Sequence, residues 1–247
     1  MKQSTSWGEA AVIGDYQKNL ILPNLLRLLE IKKGEVILDI GCGPGFFARE
    51  FARKGAKIIG VDISKGLIAA ATKSASNNEN YIVGSADDLS FLKDKSIDKI
   101  TIILAIQNID NVHKVFAECR RVLKVNGQMF LVLNHPALRI PKASDWGWDP
   151  EKSIQYRRVD AYMTETKEKI AMHPSTLRQT LGKPEEYTIT FHRPLQLYFK
   201  FLHKNGFSVS RLEEWISNRK SEPGPRAKAE DSARKEIPLF LFMEAVI

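Results

Sequence analysis

The stretch VILDIGCGPGF, residues 36–46, decides the fold class of this chain of 247 residues. A short apolar run that ends in a polar loop is typical of a buried strand. Three alternate glycines follow, and glycine lets the backbone turn sharply and lets a ligand approach without a Cβ in the way. The helix expected after them offers free N–H groups at its first turn. The stretch therefore predicts a strand, a loop and a helix, with a ligand site beside Asp39 at the carboxyl end of the strand.

Strands and helices alternate on both sides of this stretch. The strands are predicted at 36–40, 57–62, 81–84, 98–105, 128–134, 207–213 and 239–246, and the helices at 46–54, 65–76, 112–125, 195–204 and 226–236. This order favours a parallel sheet with right-handed crossovers. We therefore expect an α/β fold with a Rossmann-like, doubly wound sheet of seven strands.

The chain is expected to form one domain over 1–247, with four segments. These are an N-terminal helical segment (1–31), the half that carries the glycine loop (32–134), an inserted lid (135–192) and a C-terminal helix and strand pair (193–247). The lid is too long for a plain connection and holds several prolines and aromatic residues. Residues 187–191 alternate in polarity, so the lid is predicted to be partly β.

Composition excludes several classes of protein. The net charge is +8, but it is spread evenly, with 20 basic and 16 acidic residues in 1–150 and 17 and 13 in 151–247. Two cysteines, Cys42 and Cys119, make no disulfide framework and have no metal-ligand spacing, so no metal is expected. No run approaches the roughly 18 apolar residues of a membrane span, and the N-terminus lacks the pattern of a secretory signal. We expect a cytoplasmic protein with no membrane contact, whose oligomeric state the sequence does not indicate.

A second acid, Asp62, ends the next predicted strand. A carboxylate at this position can accept hydrogen bonds from both hydroxyls of a ribose, which indicates a nucleoside-containing cofactor. A dinucleotide site would have G-x-G-x-x-G spacing, whereas this loop has G-x-G-x-G. The Asp39 carboxylate would also repel a pyrophosphate, whereas it would attract an α-ammonium group. These features favour S-adenosylmethionine over a dinucleotide.

Four segments resemble the class I S-adenosylmethionine-dependent methyltransferases. They are LDIGCGPG (38–45), VDIS (61–64), GSADDLSF (84–91) and FAECRRVLKVNGQMFLVLNHP (116–136). More narrowly, they resemble the small-molecule group related to the ubiquinone- and menaquinone-biosynthesis enzymes, methyltransferase type 11. The resemblance covers about residues 34–136, and the chain's last segment resembles the family's final helix and strand pair. It implies a mostly parallel sheet with an antiparallel last strand.

The resemblance implies which residues meet the methionine end of the cofactor. The acid and the glycines would line the methionine part, the residues after the fourth strand would lie beside the sulfonium, and an N-terminal tyrosine would close over the carboxylate. The implied residues at this end are Tyr16, Asp39, Gly41, Cys42, Gly43, Ala105 and Ile106.

The resemblance also implies the contacts of the adenosine part. Asp62 would bind the ribose, and Ile63 would pack against the adenine ring. Ser85 and Ala86 would meet the adenine edge, the latter through its backbone N–H. Family members often carry an acid where this chain has Ser85, so the neighbouring Asp87 is expected to supply the contact with the adenine amino group.

The methyl acceptor is expected at the strand ends, under the lid. The methyl donor is already electrophilic, so the protein has mainly to hold the reactants in line for displacement, and a general base is needed only if the acceptor must lose a proton. His135 directly follows the fifth strand and is the main candidate for this base. Other candidates for the pocket and its chemistry are Gln107, Asn108, Trp146, Trp148, Tyr156, His173 and His192.

Two alternatives to a small-molecule acceptor remain open. The basic net charge permits an RNA methyltransferase that acts on tRNA or rRNA. However, residues 105–110 lack the acidic-or-Asn, Pro, Pro, aromatic run of base amino-group methylases, so nucleic acid is not favoured. A cofactor-binding partner subunit without catalysis is the other alternative, since no base is obvious. A small-molecule acceptor remains the main hypothesis.

Overall fold

Seven of the eleven strands form one sheet, in a computed structural model that describes residues 14–171 and 187–247. The strands are β1 (Val36–Ile40), β2 (Lys57–Asp62), β3 (Glu79–Val83), β4 (Ile97–Ile103), β5 (Leu123–Asn134), β6 (Ser144–Asp149), β7 (Ile154–Val159), β8 (Thr166–Ala171), β9 (Tyr187–His192), β10 (Ser208–Trp215) and β11 (Phe240–Val246). Their order in the large sheet is β10-β11-β5-β4-β1-β2-β3. Only β11 runs antiparallel to its neighbours β5 and β10. The predicted sheet, with its antiparallel last strand, is confirmed.

Helices cover both faces of this sheet, as the alternation of elements predicted. They are α1 (Leu22–Leu29), α2 (Phe46–Arg53), α3 (Lys65–Lys73), α4 (Val112–Val122), α5 (Leu195–Lys204) and α6 (Ala227–Glu236), and one wide turn over Gln17–Ile21 precedes α1. One apolar core joins α1 and α2 to one face of the sheet. A second core joins α4 and α5 to the opposite face. The doubly wound arrangement is confirmed.

The predicted boundary between α4 and β5 is wrong. The helix was expected to continue to residue 125 and to stop at Asn126-Gly127, but α4 ends at Val122 and β5 begins at Leu123. Leu123 is fully buried and pairs with Ile97 at the start of β4. Asn126 has the left-handed φ of 65° that its sequence indicated. It lies where the register between β4 and β5 shifts, so the turn interrupts a strand instead of ending a helix.

The inserted segment forms two antiparallel hairpins, which confirms that it is partly β. Strands β6 and β7 pair with each other, and β8 pairs with β9. The second hairpin contacts the loop after β4, where the hydroxyl of Thr190 donates to the carbonyl of Gln107 at 3.4 Å. His173 lies outside the described residues, as do residues 1–13 of the N-terminal segment.

Two further features bear on function. Within residues 14–171 and 187–247, no helix combines the length and the apolar character needed to span a bilayer. The same residues contain no group of three or more acidic, histidine or cysteine side chains that could hold a metal ion. Cys42 and Cys119 are buried free thiols.

Candidate cofactor site at the carboxyl edge of the sheet

Gly41 turns the chain at the end of β1. Its φ is +69°, a region that residues with a Cβ rarely adopt. Its N–H donates to the carbonyl of Val61 on β2 at 2.7 Å. A Cβ built on Gly41 would lie 2.4 Å from the Cβ of Ala105 in the loop after β4. Only glycine therefore lets the loops after β1 and β4 approach each other this closely.

Gly43 presents open space instead of a neighbour. Its φ is +54°, and a Cβ at this position would have no heavy atom within 4 Å. Its N–H donates to Oδ2 of Asp62 at 3.0 Å. The loop is thus fastened on one side to the second acid and leaves room on the other side for a ligand.

Asp62 holds two backbone N–H groups at once. Its Oδ2 accepts from Gly43, and its Oδ1 accepts from the N–H of Ser64 at 2.8 Å. Each carboxylate oxygen has a second acceptor position, so two further donors can be bound side by side. Burial raises the pKa of Asp62, and the two backbone hydrogen bonds lower it. The side chain has the capacity that the two hydroxyls of a ribose require.

Asp39 is almost fully buried beside the same loop. It is 2% exposed, and its Oδ1 accepts a hydrogen bond from the hydroxyl of Thr101 on β4 at 2.8 Å. The pKa of Asp39 is raised to about 7, because burial and, to a lesser extent, the nearby Asp62 carboxylate raise it more than the Thr101 hydrogen bond lowers it. The structure thus brings the two predicted acids into one electrostatic site, where a cation would relieve the cost of ionising Asp39.

The residues expected to meet adenine lie next to Asp62. The apolar side chain of Ile63 is 56% exposed, which suits a surface that packs against a ring. The hydroxyl of Ser85 donates to Oδ1 of Asp87, and Ala86 packs against the core. Ser85 therefore fixes the position of the Asp87 carboxylate, the acid that was expected to contact the adenine amino group.

The loop after β4 is strained where it meets the glycine loop. Leu104 has a φ of +53°, which is costly for a leucine and is found most often at functional sites. Its N–H donates to the carbonyl of Val132 on β5 at 2.7 Å. This turn brings Ala105 against Gly41 and buries Ile106 completely. Both residues expected beside the sulfonium are therefore at the carboxyl edge of the sheet.

Two other residues of the predicted set make contacts within the protein. The hydroxyl of Tyr16 lies 2.9 Å from Oγ of Ser217, and its ring packs edge-on against Phe240 and under Arg219. The structure thus places Tyr16 against the segment that joins β10 and β11. Cys42 is buried within the glycine loop, and burial raises the pKa of its thiol. Its sulfur would lie 3.0 Å from a Cβ on Gly60, so its small size is what the packing needs.

His135, the candidate base, is buried and oriented by a carboxylate. It is 4% exposed, and its Nε2 lies 2.6 Å from Oε1 of Glu214 on β10. Its Nδ1 is also buried and has no hydrogen-bond partner. A carboxylate at Nε2 favours the tautomer in which this nitrogen carries the proton, which leaves the Nδ1 lone pair free to accept one.

The aromatic residues of the first hairpin contact cations of this chain. The guanidinium of Arg157 lies 5.4 Å from the ring centre of Trp146, and that of Arg226 lies 4.9 Å from Trp148. Tyr156 is 45% exposed and belongs to the opposite face of the hairpin. The two tryptophans were expected to face an acceptor. In the structure, each of them contacts an arginine of the same chain.

The other polar candidates make local contacts in the loop after β4 and within the insertion. Gln107 donates from Nε2 to the carbonyl of Leu104 at 2.9 Å, while its Oε1 is buried without a partner. Asn108 ends the short turn that holds Gln107. Nε2 of His192 lies 2.7 Å from the carbonyl oxygen of Tyr162, so this histidine ties β9 to the loop before β8.

Three residues that organise the site were missed in the sequence. Thr101 holds Asp39, Ser64 fixes one oxygen of Asp62, and Glu214 orients His135. Only Ser64 had a local signal, because it caps the first turn of α3. Thr101 stands directly opposite Asp39 in the pairing of β1 with β4, which becomes visible only when the strand order is known.

Comparisons with known proteins find methyltransferases that are similar to this chain. Residues 38–131 match the methyltransferase domain family. The demethylmenaquinone methyltransferase of Tropheryma whipplei is 32% identical over 112 residues, 44% of this chain and 46% of that protein. The ubiquinone biosynthesis O-methyltransferase of Coxiella burnetii is 31% identical over 117 residues, 45% of this chain and 50% of that protein. The chain thus spans about half the length of these curated relatives.

Among solved structures, an S-adenosylmethionine dependent methyltransferase from Mesorhizobium loti superposes with a TM-score of 0.69 at 25% identity. The alignment covers 90% of this chain and 95% of that one. The structural likeness therefore extends over most of the chain, whereas the two sequence relatives above match less than half of it.

Proposed function

Because the chain has the class I methyltransferase fold and its residues 38–131 match the methyltransferase domain family, we propose that it transfers a methyl group from S-adenosylmethionine to a small-molecule acceptor. One observation carries the proposal. Asp39 and Asp62 lie in one site, and the glycine loop between them is fastened to Asp62 and open at Gly43. The sequence relatives named for quinone biosynthesis support a small-molecule acceptor.

The residues of this site fit the chemical groups of the cofactor. Asp39 would bind the α-ammonium group, and the free acceptor positions of Asp62 would bind the ribose hydroxyls. Ile63 would pack on adenine, with Asp87 at its amino edge. When bound, S-adenosylmethionine supplies a methyl group on a positively charged sulfur, which is already a strong electrophile. The chain's own task is to orient the two reactants and to exclude water, which can lower the barrier by about 7–11 kcal/mol.

A labelling experiment tests the proposed activity. The protein is incubated with S-adenosylmethionine that carries a tritiated methyl group and with a metabolite extract, and the label is followed into small molecules. We expect transfer that depends on Asp62 and that is lost in Asp62→Ala. Label in added tRNA or rRNA but in no small molecule would contradict the proposed acceptor class. Cofactor binding without transfer to any acceptor would contradict the activity.

The two loop glycines give a matched pair of variants. Gly41→Ala should lower both the melting temperature and cofactor affinity, because the new Cβ would lie 2.4 Å from that of Ala105. Gly43→Ala meets no protein atom, so it should cost only the left-handed strain of about 1–2 kcal/mol. It should nevertheless weaken the binding of S-adenosylhomocysteine at least about tenfold, since its methyl group occupies the open side of the loop.

Thermal unfolding and calorimetric titration of both glycine variants check this pair. A loss of about 1–2 kcal/mol corresponds to a fall of roughly 2–8 °C in a chain of this size. Unchanged affinity in Gly43→Ala would show that the open side of the loop is not where the cofactor lies.

We propose further that His135 acts as the general base when the acceptor must lose a proton. Its Nδ1 would accept the proton, and Glu214 would stabilise the resulting imidazolium through Nε2. His135→Asn should lower kcat by about 10²–10⁴-fold, the usual contribution of a general base. Glu214→Gln should lower kcat less, because the ring remains in place without its counter-charge.

Steady-state kinetics with the acceptor found by the labelling experiment check the role of His135. His203→Asn, on the exposed side of α5, is the matched control and should leave kcat unchanged. Wild-type kcat in His135→Asn would contradict proton transfer to His135 and would leave the histidine a structural role only.

A further inference from the structure

A cavity of about 330 Å³ lies between the start of α4, the β8–β9 hairpin and α5. It belongs to none of the cofactor contacts proposed above. The polar residues around it that bear on its charge are Asp110, Asn111, His113, Glu165, Lys167 and Arg193. The volume is in the range of small-molecule sites, so the character of its walls indicates what it can bind.

Arg193 is a buried cation in the wall of this cavity. It is 5% exposed, and its Nη2 donates to the carbonyl oxygens of Ile109 at 2.9 Å and Asp110 at 2.7 Å. The guanidinium carbon lies 4.7 Å from the ring centre of Phe191. Within residues 14–171 and 187–247, no carboxylate forms an ion pair with Arg193, and Nη1 is buried without a hydrogen-bond partner.

Among the residues that the structure describes, the partners of the Arg193 guanidinium are dipoles: two backbone carbonyls and the hydroxyl of Tyr198. The hydroxyl of Tyr198 lies beside the guanidinium, which partly offsets the rise that burial causes in the pKa of this tyrosine. A buried cation without an anionic partner is costly. A negatively charged ligand in the adjacent cavity would supply the missing charge and an acceptor for the unused donor.

The first turn of α4 adds to this positive character. The helix has 11 residues and no acidic side chain in its first turn. Its cap, Asn111, accepts from the N–H of Lys114, and the N–H of Val112 donates to the carbonyl of Asp110, which leaves the N–H of His113 for a ligand. The dipole of a helix favours an anion at this end. The exposed side chain of Lys167 lies at the same cavity, where it pairs with Asp110 at 3.1 Å.

The cavity and the cofactor site share one loop. This loop follows β4, contains Ala105, which packs against Gly41, and ends at Asp110 and Asn111 beside the cavity. The hairpin that forms the opposite wall contacts the middle of the loop through Thr190 and Gln107. A small molecule held in the cavity thus lies at the carboxyl edge of the sheet, as an acceptor must.

We propose that this cavity binds the anionic group, a carboxylate or a phosphate, of the methyl acceptor through Arg193 and the first turn of α4. The proposal rests on the proposed function for the identity of the ligand as an acceptor. The binding of anions at this cavity is measurable without any methyl transfer.

Nuclear magnetic resonance of the wild-type protein at constant ionic strength tests the site directly. The probes are benzoate and phenyl phosphate, with benzamide as the neutral control of similar shape. We expect at least one anion to shift the Nε–H of Arg193 and the backbone N–H of His113, with an affinity at least tenfold above that of benzamide. The tighter anion identifies the acceptor's charged group. Equal responses to anion and amide, or shifts confined to other residues, would overturn the proposal.

Variants separate this site from the cofactor site. Arg193→Gln should weaken anion binding at least tenfold and leave the affinity for S-adenosylhomocysteine unchanged, while Arg226→Gln, beside Trp148, should alter neither. Unchanged anion affinity in a folded Arg193→Gln would overturn the proposal, and if this variant does not fold, the wild-type spectra decide. A protein that binds the anion but not S-adenosylhomocysteine would refute the proposed function and leave the anion site standing.

Discussion

Asp39→Asn is expected to lower the affinity for S-adenosylhomocysteine at least about a hundredfold, because it removes the only negative charge proposed to meet the α-ammonium group. Loss of one partner of a buried charge pair typically costs about 2–5 kcal/mol of binding free energy. The substitution changes little else, since the amide oxygen of Asn can still accept the hydrogen bond from Thr101. Calorimetric titration at pH 8 measures the loss.

The same variant should be more stable than the wild type at neutral pH. Burial raises the folded-state pKa of Asp39 to about 7, whereas an unfolded aspartate has a value near 3.8. The folded state therefore binds the proton more tightly, and the stability that Asp39 contributes at low pH is lost as the pH rises from about 4 to about 7. Asn cannot ionise and therefore does not lose this stability, which amounts to roughly 4 kcal/mol at 1.36 kcal/mol per pKa unit.

Thermal unfolding between pH 5 and pH 8 checks this effect. The melting temperature of Asp39→Asn minus that of the wild type should increase from pH 5 to pH 7 and then stay level. Binding of S-adenosylhomocysteine to the wild type should strengthen over the same interval, because Asp39 must be ionised to bind a cation. A constant difference in melting temperature, with full affinity in the variant, would exclude Asp39 as the cation site.

Asp62→Ala is expected to weaken S-adenosylhomocysteine binding by at least about a hundredfold. It removes two acceptors for the ribose, each worth about 1.5–3 kcal/mol when the partner is charged. It also frees the N–H groups of Gly43 and Ser64, which hold the loop in place. Asp62→Asn keeps one acceptor oxygen and should give an intermediate loss.

A surface acid provides the control for Asp62. Asp160 lies in the insertion, and within residues 14–171 and 187–247 its side chain pairs only with the exposed Arg158, so Asp160→Asn should bind S-adenosylhomocysteine as tightly as the wild type. Calorimetry of the three variants should rank them in the order Asp160→Asn, Asp62→Asn and Asp62→Ala. Equal affinity in all three would show that the second carboxylate does not touch the cofactor.

The sheet was predictable because its signals are local. Each strand is a short apolar run, and β1 and β2 each carry an acid at or next to their carboxyl ends, Asp39 just before the first glycine and Asp62 at the end of the next strand. Asp39 and Asp62 could therefore be assigned to one edge before any coordinates were known. Parallel strands place their carboxyl ends together, and the structure brings these two acids into one site.

The partners of the site residues were not predictable in the same way. Thr101 reaches Asp39 across the pairing of β1 with β4, and Glu214 reaches His135 from β10, 79 residues later in the chain. Such contacts depend on strand order and register, which hydrophobic patterning does not specify. Trp146 and Trp148 were expected to face a ligand, but the arginines that stack on them come from β7 and from the residue before α6.

The prediction of where α4 ends was wrong for a related reason. The residue types of Asn126-Gly127 are typical of a helix end. The helix nevertheless ends earlier, because Leu123 pairs with Ile97 in the sheet and is buried there. Burial of a leucine outweighs the small helical preference of the residues that follow. Packing between distant segments therefore decided the boundary.

Calorimetric titration of the wild-type protein at pH 8 with S-adenosylhomocysteine and, separately, with NADH tests the central claim most directly. The glycine loop between Asp39 and Asp62 should bind one equivalent of S-adenosylhomocysteine and give no measurable heat with NADH. One equivalent of NADH bound, with no heat from S-adenosylhomocysteine, would contradict the assignment of this site and of the methyl transfer that depends on it.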